Sequence, residues 1–190
     1  MKQGKPYDAE IEYLQSGGTQ YIDTGLVHTT GYRYLIDIAV VTNDMGYRSI
    51  IGAATGGDNG QFYLSTVIGS PYSMYLNNKA ITPVDIDIYS RFQLSLVQSN
   101  TTTILYQNED VLGSAMCTIF GLPVMLMARN SKNAKMIGRY YAFKAWDGNN
   151  TLLADFMPVR VGQVGYMYDK VSGQLFGNQG TGSFILGNDL

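Results

Sequence analysis

One cysteine, one histidine and one tryptophan in 190 residues leave little material for several kinds of chemistry. The lone Cys117 forbids an intrachain disulfide. That agrees with a reducing compartment without requiring one, since a chain of this length buries enough surface to fold without cross-links. With His28 as the only histidine, a structural zinc site, which takes four nitrogen or sulfur ligands, is excluded. Any Ser-His-Asp or Cys-His mechanism would have to run through that one ring. Charged residues make up only 15% of the chain, where about 25% is usual. The net charge is −2 with no block of one sign, so nothing forms an electrostatic footprint for nucleic acid. No apolar run approaches the roughly 18 residues of a membrane span, so no membrane insertion is expected. The opening Met1-Lys2-Gln3-Gly4-Lys5-Pro6 lacks the apolar core of a secretory signal. A role outside the cell would then need export by another route, such as lysis or assembly into a particle, and the sequons at Asn100 and Asn149 carry little meaning.

Glycine (22) and tyrosine (15) are plentiful, the pairing expected of tight turns between strands. No segment longer than about ten residues keeps the 3.6-residue apolar period of a helix. Short apolar or alternating runs occur instead, at residues 32–41, 49–54, 61–69, 91–97, 102–106, 123–128, 136–146 and 151–159. In 91–97, Phe92, Leu94 and Leu96 face one way and Gln93 and Ser95 the other. The cluster Gly56-Gly57-Asp58-Asn59-Gly60 reads as a hairpin turn, as does Gln98-Ser99-Asn100. Asn130-Ser131-Lys132-Asn133 and Asp147-Gly148-Asn149-Asn150 punctuate later runs. The spacing predicts an all-β, two-sheet antiparallel sandwich with little helix. Residues 1–10 read as a polar arm and 11–190 as one domain, whose glycine-rich tail from Gly162 covers one edge or end.

Two blocks carry a family resemblance. Glu12-Tyr13-Leu14-Gln15-Ser16-Gly17-Gly18-Thr19-Gln20-Tyr21-Ile22-Asp23-Thr24-Gly25 resembles the opening strand of the concanavalin A-like lectin/glucanase (laminin-G-like) domains. Ala145-Trp146-Asp147, Leu153 through Arg160, and Gly165-Tyr166-Met167-Tyr168-Asp169 through Gly177-Asn178-Gln179-Gly180-Thr181-Gly182 are similar to the closing blocks of that family. The chain departs at Trp146, where the family usually has tyrosine, and at Ala154, where it usually has arginine. The resemblance implies a concanavalin A-like jelly roll. It also implies the setting of such domains, which occur in bacteriophage virion proteins and gut-bacterial surface proteins: a virion or extracellular surface, reached from the cytoplasm without a signal peptide.

Few residues suggest catalysis, and no catalytic residue is assigned. Asp85-Ile86-Asp87-Ile88-Tyr89 places carboxylates at alternate strand positions, as some sandwich glycosidases do, but the flanking glutamates of that pattern are absent. His28 reads as solvated or hydrogen-bonded, and Cys117 as a packed thiol. Gly180-Thr181-Gly182 lacks the third glycine and the following helix of a dinucleotide site. No cofactor is expected. Calcium stays open, because concanavalin A-like folds sometimes hold it in loops and Asp58 with Asn59, or Asp147 with Asn149, supply hard oxygens.

Sugar binding is the other chemistry the residue types allow, since pyranose faces stack on flat side chains while amides and carboxylates fix hydroxyls. Tyr72, Tyr75, Asn77 and Asn78 form one candidate cluster, and Trp146, Asp147 and Asn149 another. The run Val124-Met125-Leu126-Met127 is apolar on both strand faces, which predicts an interface with a second copy or with another virion or surface protein. The expected function is therefore a non-catalytic virion-associated or surface accessory module, making assembly contacts and adhering to glycan. A glycan-processing enzyme of the same fold and a purely structural decoration protein are the alternatives.

Overall fold

The computed structural model describes residues 4–41, 46–55, 60–67, 73–81, 87, 89–130 and 135–190. These residues hold no helix. The strands are β1 (Ala9–Glu10), β2 (Leu14–Gly17), β3 (Ile22–Val27), β4 (Arg33–Val40), β5 (Tyr47–Ala53), β6 (Phe62–Val67), β7 (Ser73–Leu76), β8 (Lys79–Ile81), β9 (Phe92–Ser99), β10 (Thr102–Gln107), β11 (Asp110–Met116), β12 (Pro123–Leu126), β13 (Ile137–Trp146), β14 (Leu152–Val161), β15 (Val164–Asp169), β16 (Gln174–Phe176) and β17 (Ile185–Leu186). They form two antiparallel sheets. The larger runs β11-β10-β9-β4-β13-β14-β15-β16, with β2 on β13, β17 on β2 and β1 on β14; the smaller runs β3-β12-β5-β6-β7-β8.

The alternation that marks β9 in sequence decides its orientation: Phe92, Leu94 and Leu96 are buried, while Gln93 is exposed and Ser95 half-buried. The hairpins follow from turn chemistry. Asn77 and Asn78 join β7 to β8 with φ of 48° and 71°, the two left-handed positions that a two-residue hairpin demands and asparagine tolerates. Between the sheets lies an aromatic core in which Tyr34, Phe62, Tyr140, Phe143 and Phe156 are fully buried. The Tyr140 hydroxyl donates to the Ile50 carbonyl at 2.7 Å, a tie from the large sheet to the small one.

β13 carries a bulge. Tyr140 pairs with Ile38 and Ala142 with Asp37, so Tyr141 is an extra residue on that edge of the strand. The extra residue keeps Tyr140 and Phe143 both buried while Tyr141 and Ala142 remain half-buried on the other face.

Three expectations are corrected. The run at β12 does not present an apolar outer face. Val124, Leu126 and Met127 are all 0% exposed in the core of this chain, and only Met125 is half-buried. The cause is a left-handed residue, Met127 (φ 63°), which breaks the alternation after β12 and tucks Met127 inward, where its N–H donates to the Ile50 carbonyl. The arm is not a free lead-in from residue 8 onward. Asp8 N–H donates to the Arg160 carbonyl, Ala9 and Glu10 pair with Arg160 and Val159, and the Leu190 N–H donates to the Glu10 carbonyl. The tail does more than cover an end, because β15 pairs with β14 along its whole length and extends the large sheet. The turn at 56–59 lies outside the described residues, although β5 and β6 on either side of it do pair.

Candidate functional site

The first predicted cluster separates in the fold. Tyr72 lies outside the described residues. Tyr75 sits on β7 with its ring edge-on to Tyr47 at 5.2 Å. Asn77 is buried, its amide accepting from the Tyr63 N–H at 2.9 Å and donating to Thr103 Oγ1 at 2.8 Å. Asn78 lines a groove of about 690 Å³ between the edge strands β8 and β11, with Lys79, Thr101, Thr102, Ser114 and Met116.

The second cluster stays together at the β13–β14 turn. The Arg33 guanidinium lies 4.3 Å from the Trp146 ring centroid. Asp147 Oδ1 accepts from the N–H groups of Thr151 and Asn149, both at 2.8 Å, and these bonds hold its carboxyl below the usual range. Its oxygens thus close an Asx turn. Among the described residues no group of three or more His, Cys, Asp or Glu gathers as a metal site would need. Of the other calcium pair, Asp58 and Asn59 lie outside the described residues.

His28 and Cys117, 89 positions apart, meet in the core, a pairing nothing in the sequence signals. His28 Nδ1 shares a 2.8 Å hydrogen bond with the Tyr34 hydroxyl, its ring stacks on Phe62 at 4.2 Å, and Nε2 is 3.7 Å from Cys117 Sγ. Burial lowers the imidazole to about 4, which the Gln98 side chain only partly offsets. Burial raises the thiol to about 11. A neutral ring beside a protonated, inaccessible thiol is a packing device and supplies no nucleophile. Asp87 is exposed and closes a turn, accepting from the Tyr89 N–H and the Ser90 hydroxyl, while its carbonyl accepts from the Ser90 N–H. Asp85 lies outside the described residues.

The most elaborate polar surface lies elsewhere, on the outer face of the large sheet. Registry lines it up: Leu14 opposes Tyr140, Ala142 opposes Asp37, and Asp37 opposes Gln93. Tyr13, Tyr141, Asp37, Gln93 and Asn108 consequently form a row across β2, β13, β4, β9 and the end of β10. Tyr13 and Tyr141 meet edge to face at 5.7 Å. Arg139 lies over Tyr13 at 4.4 Å and Arg91 over Tyr141 at 4.3 Å. The Asp37 carboxylate, 3% exposed, accepts from Arg91 Nε (2.8 Å) and Nη2 (2.9 Å) and from Gln93 Nε2 (2.8 Å). Arg139 donates through Nε to Gln15 Oε1 at 2.9 Å.

Each guanidinium is thus pinned on a tyrosine face. The Nη atoms of Arg139, Nη1 of Arg91 and the hydroxyls of Tyr13 and Tyr141 have no partner among the described residues. Two open depressions flank Arg91, one of about 460 Å³ toward Tyr13, Arg139 and Tyr141, the other of about 450 Å³ toward Gln93, Gln107 and Asn108. Sequence reasoning missed this face because its members are scattered along the chain. The available signal was the set of outward positions in 91–97 and 136–146, where Arg91, Gln93, Arg139 and Tyr141 fall.

No family model matches the chain, and no curated protein matches it in sequence. Solved structures do. A candidate carbohydrate-binding protein from Bacteroides ovatus superposes with a TM-score of 0.62 at 11% identity, over 95% of this chain and 60% of that one. The chain thus spans less than two thirds of that protein's length. A heptameric SAP-like pentraxin from Limulus polyphemus superposes with a TM-score of 0.55 at 15% identity, over 95% of this chain and 94% of that one. At such identities the likeness is one of fold, and the fold is a concanavalin A-like jelly-roll sandwich.

Proposed function

We propose that this domain is a non-catalytic carbohydrate-binding module that adheres to glycan through the outer face of its large sheet. The observation that carries the reading is the pinned row of Tyr13, Tyr141, Arg91 and Arg139. Rigid aromatic bodies with a few convergent hydrogen-bonding groups are the usual make-up of a small-ligand site. Guanidinium groups already fixed on rings lose little freedom when they meet a hydroxyl. The superposed B. ovatus protein, described as carbohydrate-binding, supports the same reading. Asp37 weighs against turnover, because three N–H donors from Arg91 and Gln93 already occupy its carboxylate, which is 3% exposed and out of a ligand's reach. The setting we propose, a virion or extracellular surface, rests on the sequence resemblance, and a proteomic inventory of purified particles and cell envelopes tests it.

A glycan array probed with the labelled domain tests the binding. Signal is expected on a subset of glycans and is expected to fall at least about tenfold in Tyr141→Ala and in Arg139→Ala. An array without signal, or signal indifferent to both changes, overturns the reading.

A further inference from the structure

Resting on that reading, we propose that the face takes an internal stretch of a neutral, linear glycan, about four sugar units laid across the strands, and not a monosaccharide or a chain end. Three observations carry this.

The first is length. The row crosses five adjacent strands, β2, β13, β4, β9 and β10. Neighbouring strands lie about 4.8 Å apart, so the row spans roughly 19 Å, and an extended glycan advances by close to one strand spacing per sugar. Four of the five crossings offer groups to a ligand: Tyr13 beside β2, Arg139 and Tyr141 on β13, Arg91 and Gln93 at the start of β9, and Gln107 with Asn108 at the end of β10, while the buried Asp37 on β4 anchors Arg91 between them. A monosaccharide would use one or two of these and leave the rest without purpose.

The second is shape. The two depressions meet at Arg91, which lines both. Among the described residues, both open onto the sheet face rather than closing into a cavity around a terminal sugar. Such a surface lets a chain enter at one side and leave at the other.

The third is charge. Arg91 is neutralised by Asp37, and the trough that holds Arg139 also holds Glu12. The side-chain charges along the row cancel, so it offers no net attraction for a uronate or sulfated chain. The donors that remain, on Arg139, Arg91 and the two tyrosine hydroxyls, suit hydroxyl and ring oxygens.

Isothermal titration of the whole domain decides the matter. The probes are cello-, manno- and xylo-oligosaccharide ladders of one to six units, the matching polysaccharides, and an oligogalacturonate ladder. Affinity for at least one neutral ladder is expected to climb about tenfold or more between two and four units, then level off. The double variant Gln107→Ala, Asn108→Gly removes the far end of the row while glycine keeps the φ of 55° at residue 108. It is expected to flatten that climb, with an unaltered melting temperature showing that the fold survives.

A monosaccharide or disaccharide that binds as tightly as the hexamer overturns this inference and leaves the carbohydrate-binding reading intact. So does a galacturonate ladder that binds more tightly than the neutral ones. Absence of binding to every ladder and polysaccharide overturns this inference, and with a silent glycan array it overturns the parent reading as well.

Discussion

Titrating His28 out of the core exposes what its burial costs. The imidazole is held neutral between Phe62, the Tyr34 hydroxyl and the Cys117 thiol, and its pKa falls from 6.5 to about 4. The unfolded chain takes up this proton near pH 6.5, whereas the folded chain waits until about pH 4. Between those values the unfolded state binds more protons, so stability falls as the pH falls. Stability is full above 6.5 and declines down to about 4, below which this group adds no further loss. At 1.36 kcal/mol per pH unit the total is about 3 kcal/mol, a large share of the roughly 5–15 kcal/mol that holds a domain together. The neighbours do not confuse the window. Burial keeps Tyr34 and Cys117 protonated throughout it, and the lowered carboxyls of Asp87, Asp147 and Asp169 act at lower pH, below the ordinary aspartate value of 3.8. Urea unfolding at pH 8, 6.5, 5.5 and 4.5 is the assay, on the parent and on His28→Gln. The variant is expected to be less stable at pH 8, from lost packing, yet to decline much less between 6.5 and 4.5. Parallel pH profiles for the two proteins would refute the account.

Other predictions concern single contacts. Asn77→Gly keeps the left-handed turn but removes the acceptor of the Tyr63 N–H and one of the two side-chain partners of the Thr103 hydroxyl, which still donates to Gln98 Oε1, and should cost about 1–3 kcal/mol by urea unfolding; an unchanged midpoint counts against it. Gly52→Ala would bring a methyl to 2.7 Å from the Arg129 Cα, and the overpacking should cost about 1–3 kcal/mol; a neutral effect in thermal unfolding would show that the backbone yields there. Cys117 should react with iodoacetamide at pH 8 only as fast as the domain opens; rapid labelling of the native protein, read by mass spectrometry, would contradict its burial.

Much of the sandwich was legible, and the reasons are local. Phe92, Leu94 and Leu96 alternate because one face of β9 meets the core, and Asp147 to Asn150 turn because an Asx carboxylate can cap its own loop. β12 was misread for an equally local reason. A methionine in the left-handed region looks in sequence like any methionine, so Met127 seemed to continue a two-faced strand when it ends one. The candidate face was hidden by distance. Tyr13 meets Tyr141, and Asp37 meets an arginine 54 positions later, only through registers that short-range patterns do not contain. The bulge compounds this, since it shifts which residues of β13 point outward after Tyr140.

That bulge also separates what the domain is from what we propose it does. Because Tyr140 and Ala142 oppose consecutive residues of β4, a chain lacking Tyr141 could run straight along that edge with Tyr140 and Phe143 still turned inward. A single-codon deletion would then erase the ring at the middle of the row while leaving Tyr140 and Phe143 in the core. Its reverse, a single-codon insertion into a plain sandwich strand, would be enough to install one. Such a site is cheap for a lineage to gain and to lose, and related sandwiches should differ most in ligand where they differ by one residue in the length of this strand.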